Sequence, residues 1–176
     1  MFMAEITFLS NKTRKESSKY FFVIVFAVIT WILQVSIFSH FGFFDATANL
    51  FLLGCIFCGI TFGPLMGILF GIISSFFIAS ILFDHTFYFS YPLFGLLAGL
   101  LTKNIFSDEL MFYILVSFLF TFPLEILNGW QYNMHNPINI FNRYMQIGFY
   151  SAILNLFLSP FFYFLMRFIT KKLNLR

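Results

Sequence analysis

Long apolar runs separated by short polar breaks organise this chain. The first 19 residues are mixed and polar, with Lys12, Arg14, Lys15 and Lys19 crowding against the first run. Apolar runs then cover 20–39, 46–62, 64–83, 87–102, 110–128 and 145–168, and a basic tail follows at 169–176. A helix rises 1.5 Å per residue, so about 20 residues cross a hydrocarbon core of about 30 Å. The pattern predicts an all-α, polytopic bundle of six membrane helices in one domain at 20–168, preceded by a short flexible tail at 1–19. The first run has no A-x-A-like cleavage site after it and reads as an anchor, not a removed signal peptide. The second and third runs would make a helix of about 57 Å if continuous, so a turn near Thr61 to Pro64 must fold them into a hairpin. Pro92 falls in the first turns of the fourth run, where its missing N–H costs least. The connection "GWQYNMHNPINIFNR" after the fifth run carries Trp130, Tyr132 and Tyr144, which suit a membrane interface.

Composition excludes the soluble alternative: 60% of the 176 residues are hydrophobic and only 10% charged, too few to clothe a water-exposed domain. Charge placement adds an orientation. With six spans, Lys12, Arg14, Lys15, Lys19, Lys103, Arg167, Lys171, Lys172 and Arg176 fall on one side and Arg143 alone on the other. Since Lys and Arg favour the cytoplasmic side, both termini are expected there.

In the third run every fourth residue is small: Gly63, Gly67, Gly71, Ser75 and Ala79. Helices in lipid associate by close backbone packing, so this stripe, with Gly95 and Gly99 in span four, is expected to face other helices or a partner's helix. Phe70 lies off the stripe. Span five offers Ser117, Thr121 and Glu125, and span six Ser151, Asn155 and Ser159, at the same spacing. Gln34, Asn49 and Asn155 are expected to hydrogen-bond between helices. Glu125 is the acidic residue clearly within a span, and it could relay protons or bind a cation. It can equally be satisfied by Asn128 one turn away, with no second acidic group in the spans to pass a proton on.

Other candidate chemistry is thin. Cys55 and Cys58 form a C-x-x-C inside an apolar span, without the βαβ setting of a redox motif, and are expected as small buried thiols. His40, Asp84, His85 and His135 match no zinc spacing. The sequence has no phosphate-binding glycine loop, G-x-S-x-G, H-E-x-x-H or basic surface suited to nucleic acid. Neither an enzyme nor a cofactor is expected, and membrane lipids are the surroundings.

The chain resembles the rod shape-determining protein MreD family. The resemblance is carried by "WILQVSIF", "DATANLFLL", "GPLMGILFGIISS", "YPLFGLLAGLL" and "AILNLFLSPFFYFLMRFITKKL", where Asn155 is followed five residues later by Pro160. The family often has Asp after the glycines, where this chain has Ser74 and Ser75. The resemblance implies a non-enzymatic component of the cell-wall elongation machinery in the bacterial cytoplasmic (inner) membrane. It implies MreC as partner and, indirectly, MreB, RodA and its transpeptidase, with a fold similar to the substrate-binding subunits of energy-coupling-factor vitamin transporters. Such a subunit is the alternative reading. Those proteins usually dock through A-x-x-x-A in the first span, whereas here Ala27 is followed four residues later by Trp31.

Overall fold

The computed structural model describes residues 2–40, 42–44, 46–82, 89–102, 109–135 and 141–175. Six α-helices account for most of them: α1 (Phe2–Leu33), α2 (Leu50–Phe62), α3 (Pro64–Leu82), α4 (Ser90–Thr102), α5 (Glu109–His135) and α6 (Phe141–Lys172). A π-helical turn, Gln34–Phe38, continues α1, and a small antiparallel hairpin pairs Gly42 with Thr47 and Phe43 with Ala46. Three segments are long and apolar enough to cross a membrane, Glu16–Phe38, Glu109–Gln131 and Tyr144–Lys172, while Leu50–Phe62, Pro64–Ser80 and Ser90–Thr102 are shorter apolar helices. The protein is a polytopic membrane protein.

Three boundaries depart from the sequence reading. Residues 2–19, expected as a flexible tail, are helical and continuous with the first span; no Gly or Pro interrupts the chain before Gly42, and Lys, Arg and Glu are good helix formers. The second helix begins at Leu50 instead of residue 46, because Asn49 adopts an extended conformation and caps it. Helix α5 runs on through Gly129 to His135, where a polar loop was expected. A Cβ on Gly129 would stand 2.6 Å from that of Tyr144, so its hydrogen side chain lets α5 and α6 stay paired beyond the apolar run.

Helix α2 is the axis of the bundle. Every residue from Leu50 to Ile60 is buried, and α2 packs against all five other helices. Its C-terminus is closed by Gly63, whose φ of +101° only glycine takes comfortably and whose N–H donates to the Gly59 carbonyl. Pro64 then opens α3, its fixed φ suited to a first helical turn. Nothing lies within 4 Å of a Cβ built on Gly63, so this end of the small-residue stripe serves the turn and not helix packing.

The stripe's middle is where α2, α3 and α4 meet backbone to backbone. A Cβ on Gly67 would lie 2.7 Å from the Gly95 carbonyl carbon and 2.9 Å from the Gly59 Cα. One on Gly71 would lie 2.6 Å from the Pro92 Cα, and one on Gly99 2.6 Å from the Pro64 Cα. Ser75 is buried and donates to the Gly71 carbonyl, which keeps its hydroxyl satisfied on its own helix. Phe70, placed off the stripe by spacing, is fully buried: its ring covers Gly54 and meets the Phe26 ring in a tilted pair at 4.9 Å.

Replacing Gly67 or Gly95 by Leu should lower stability by on the order of 1 to 3 kcal/mol or more, as overpacking does. Phe76→Leu, on the exposed face of α3, should change it by less than about 0.5 kcal/mol. Thermal unfolding in mild detergent compares the three, and equal midpoints would show that the glycine contact carries no weight.

Candidate functional site

The buried start of α2 poses a specific problem. The first N–H groups of a helix have no partner within it, and an unpaired one away from water costs about 1 to 3 kcal/mol. Side chains from other helices solve it. Asn155 of α6 accepts from the Asn49 N–H at 2.9 Å, Gln34 accepts from the Leu50 N–H at 2.9 Å, and Asn49 caps its own helix by accepting from Leu52 at 3.0 Å. The remaining halves of the three amides are used as well. Gln34 donates to the Ala48 carbonyl at 3.0 Å, Asn49 to the Tyr91 hydroxyl at 2.9 Å, and Asn155 to the Thr121 hydroxyl at 2.8 Å. Thr121 passes its own proton to the Ser117 carbonyl at 2.6 Å, and Ser117 to the Tyr113 carbonyl at 2.7 Å. This network joins the π-helical turn after α1 to α2, α4, α5 and α6.

Local sequence explains several of these positions. Within α6, Pro160 has no N–H to give the Leu156 carbonyl, and Ser159 donates its hydroxyl there instead, at 3.0 Å. Ser151 and Ser159 are buried beside Asn155 on the same helix. Gln34 sits at the opening of the π-helical turn, in which the Ser39 N–H reaches back five residues to the Gln34 carbonyl at 2.8 Å.

Glu125 lies close enough to Tyr91 of the node to act on it electrostatically. It is half-buried on α5, hydrogen-bonded to Asn128, and packed near α6, where a Cβ on Gly148 would be 3.2 Å from its own. Cys55 and Cys58 are buried free thiols on α2. His40 is exposed, while Asp84, His85 and the side chain of His135 lie outside the described residues. Ala27 is fully buried and Trp31 stacks on Phe77 of α3 at 5.1 Å, so the face that carries A-x-x-x-A in transporter subunits is used inside this bundle.

A second polar cluster was missed in the sequence. The Tyr163 hydroxyl donates to Glu109 at 3.1 Å and accepts from Arg167 at 3.0 Å, joining the start of α5 to the end of α6. Tyr163 and Arg167 are four residues apart, a spacing that puts them on one helix face; Glu109, more than fifty residues earlier, gives no such signal.

These contacts give motifs behind the MreD resemblance a packing role: the glycines, the Pro92 segment and Asn155 hold helices together, and Pro160 frees a carbonyl that Ser159 satisfies within α6. A comparison with families decides the assignment, since the model described as "5TMR of 5TMR-LYT" matches residues 2–132, about three quarters of the chain. The chain belongs to the 5TMR of 5TMR-LYT family. The MreD assignment is thereby corrected, and the expected partners MreC, MreB and RodA with its transpeptidase lose the resemblance that implied them. No curated protein and no solved structure matches the chain. The 5TMR match takes in α1 to α4 and nearly all of α5; α6, which supplies Asn155, lies beyond it.

Asn155→Leu leaves the Asn49 N–H without its acceptor inside the bundle and should cost on the order of 2 to 4 kcal/mol. Glu125→Gln, which keeps shape and can still bond to Asn128, should cost less than about 1 kcal/mol. Detergent melting curves of the two variants against the parent test this ranking, and a larger loss for Glu125→Gln would reverse it.

Proposed function

We propose that this chain is a non-enzymatic receptor-type module of the bacterial cytoplasmic membrane, which reports a change at or in the membrane by moving helices relative to one another. The observation that carries the reading is membership of a family of five-span sensor domains. The packing is compatible with such a role. Helices α2, α3 and α4 meet backbone to backbone through their glycines. Helices α1 and α6 are held differently, α1 against α2 and α3, α6 chiefly against α5, and each offers large exposed side chains to its surroundings. A shift of either long helix would carry a signal along about 48 Å, the length of 32 helical residues. The charge distribution supports six crossings with both termini in the cytoplasm, α6 completing the five helices of the family match.

Two measurements test this reading. Cysteines placed near Lys15 and at Asn133 should label from opposite sides of the membrane, and labelling from one side would refute the six-crossing topology. Spin-label distances in lipid nanodiscs should show two resolved populations for a pair at Ser17 and Lys171, spanning α1 and α6. A pair at Leu65 and Leu100, on α3 and α4, should give one narrow distance. A single narrow distance for both pairs would favour a static scaffold over a receptor.

A further inference from the structure

The C-terminal end of α6 carries a cleft of about 290 Å³, lined by Arg167, Thr170, Lys171 and Asn174. It is built on a fixed turn. Asn174 takes a left-handed φ of +51°, its N–H reaches the Lys171 carbonyl at 3.2 Å, and the N–H of the buried Leu175 reaches the Thr170 carbonyl at 3.1 Å. Together with the bond from the Leu173 N–H to the Ile169 carbonyl at 3.0 Å, these occupy carbonyls whose partial charge would otherwise repel an anion at a helix end. The Thr170 hydroxyl is likewise spent, on the Arg167 carbonyl at 3.1 Å.

Arg167 is oriented by Tyr163, which is only 1% exposed. The Tyr163 hydroxyl accepts one guanidinium N–H at 3.0 Å, and the ring centroid lies 5.6 Å from the guanidinium carbon. A guanidinium has five N–H donors. Among the described residues no acceptor besides Tyr163 meets Arg167 and none meets the Lys171 ammonium, while Glu109 accepts from the Tyr163 hydroxyl instead. Two cations one helical turn apart therefore line one cleft with donors unspent, beside the Asn174 amide.

We infer that this cleft binds a phosphate group, and that the group belongs to the head of an anionic membrane lipid. The donors select the ion, since a guanidinium fork and an ammonium suit phosphate oxygens. Position selects the source. Phe157, Phe161, Phe164 and Phe168 are all more than half exposed and recur at steps of four, three and four, a row along one side of α6 that leads to Lys171 three residues further on. The row lies in the segment Tyr144–Lys172, which is long and apolar enough to cross a membrane, so a cleft at its end meets lipid heads. Basic pockets at that level bind acidic ones. The site is on α6, beyond the family match, and is independent of whether the module acts as a receptor.

The full chain, extracted in mild detergent with equal amounts of phosphatidylglycerol and phosphatidylcholine of the same chains, is examined by native mass spectrometry. Phosphatidylglycerol should be retained preferentially, because phosphatidylcholine carries its phosphate under a cationic choline that two basic side chains repel. At about 1 kcal/mol per basic residue, Arg167→Gln or Lys171→Gln should reduce the preference about fivefold and the double variant about thirtyfold. Lys172→Gln removes the same charge from the next residue, outside the lining, and should leave the preference nearly unchanged. Equal losses in all three single variants would reveal a diffuse basic surface and overturn the inference, as would equal retention of the two lipids. A repeat in excess inorganic phosphate separates the two sources of the ion: the lipid preference should persist. Its collapse in phosphate but not in chloride of equal ionic strength would assign the cleft to a soluble phosphate and overturn the lipid source. Arg167, Lys171 and Lys172 are all exposed, so the variants should fold as the parent does.

Discussion

The bundle depends on closing the N-terminus of a helix that has no access to water. Helix α2 is buried along nearly its whole length, and its first N–H groups must find acceptors on other parts of the protein. Asn155 and Gln34 provide them, one from the last helix and one from the turn that ends the first. Because both are amides, each returns a donor to a further acceptor and leaves nothing unpaired. A carboxylate in place of Asn155 would bring an extra charge into the interior and could not donate to Thr121, so the chemistry of the node favours an uncharged side chain.

The same constraint explains why the short helices are packed so differently from the long ones. In lipid, two apolar faces gain little by meeting, and stability comes from close approach and from polar contacts that would otherwise be unpaired. Helices α2 and α4, of 13 residues each, are too short to cross about 30 Å of hydrocarbon unaided. They are fixed by glycine contacts and by Tyr91, while α5 and α6 are long enough to stand in the membrane by themselves. The weak seam therefore falls between α1 and α6, which come together at the edge of the bundle with ring contacts such as Phe26 on Phe162 and no glycine between them.

Much of this was legible in the sequence, and for physical reasons. Apolar run length located every helix, and the Gly63–Pro64 pair marked the hairpin because one residue ends a helix and the other begins one. Gln34, Asn49 and Asn155 stood out as polar residues in apolar runs. Their convergence did not, because it depends on α2 starting at Leu50, four residues later than hydropathy alone placed it. Hydropathy counts Ala46, Ala48 and Leu50 alike, and only the cap at Asn49 separates strand from helix. Phe70 was misplaced for a related reason: four-residue spacing follows one face of a helix, whereas α3 is covered on more than one side.

The correction of family teaches something about what short membrane motifs encode. Glycines at four-residue steps, a Pro beside them, and an Asn a few residues before a helix-internal Pro are demands of packing: room for backbones, a helix start, a satisfied carbonyl. Any small bundle built around a buried hairpin meets the same demands, so these motifs identify an architecture more readily than a role. Function in such a chain has to be sought where packing leaves a choice. In this protein that place is the outer seam of α1 and α6, where side chains such as Ile29, Phe161 and Leu165 stay exposed, together with the long helical extension that precedes the first span. A residue that packing does not explain is the one whose identity was free to serve something else.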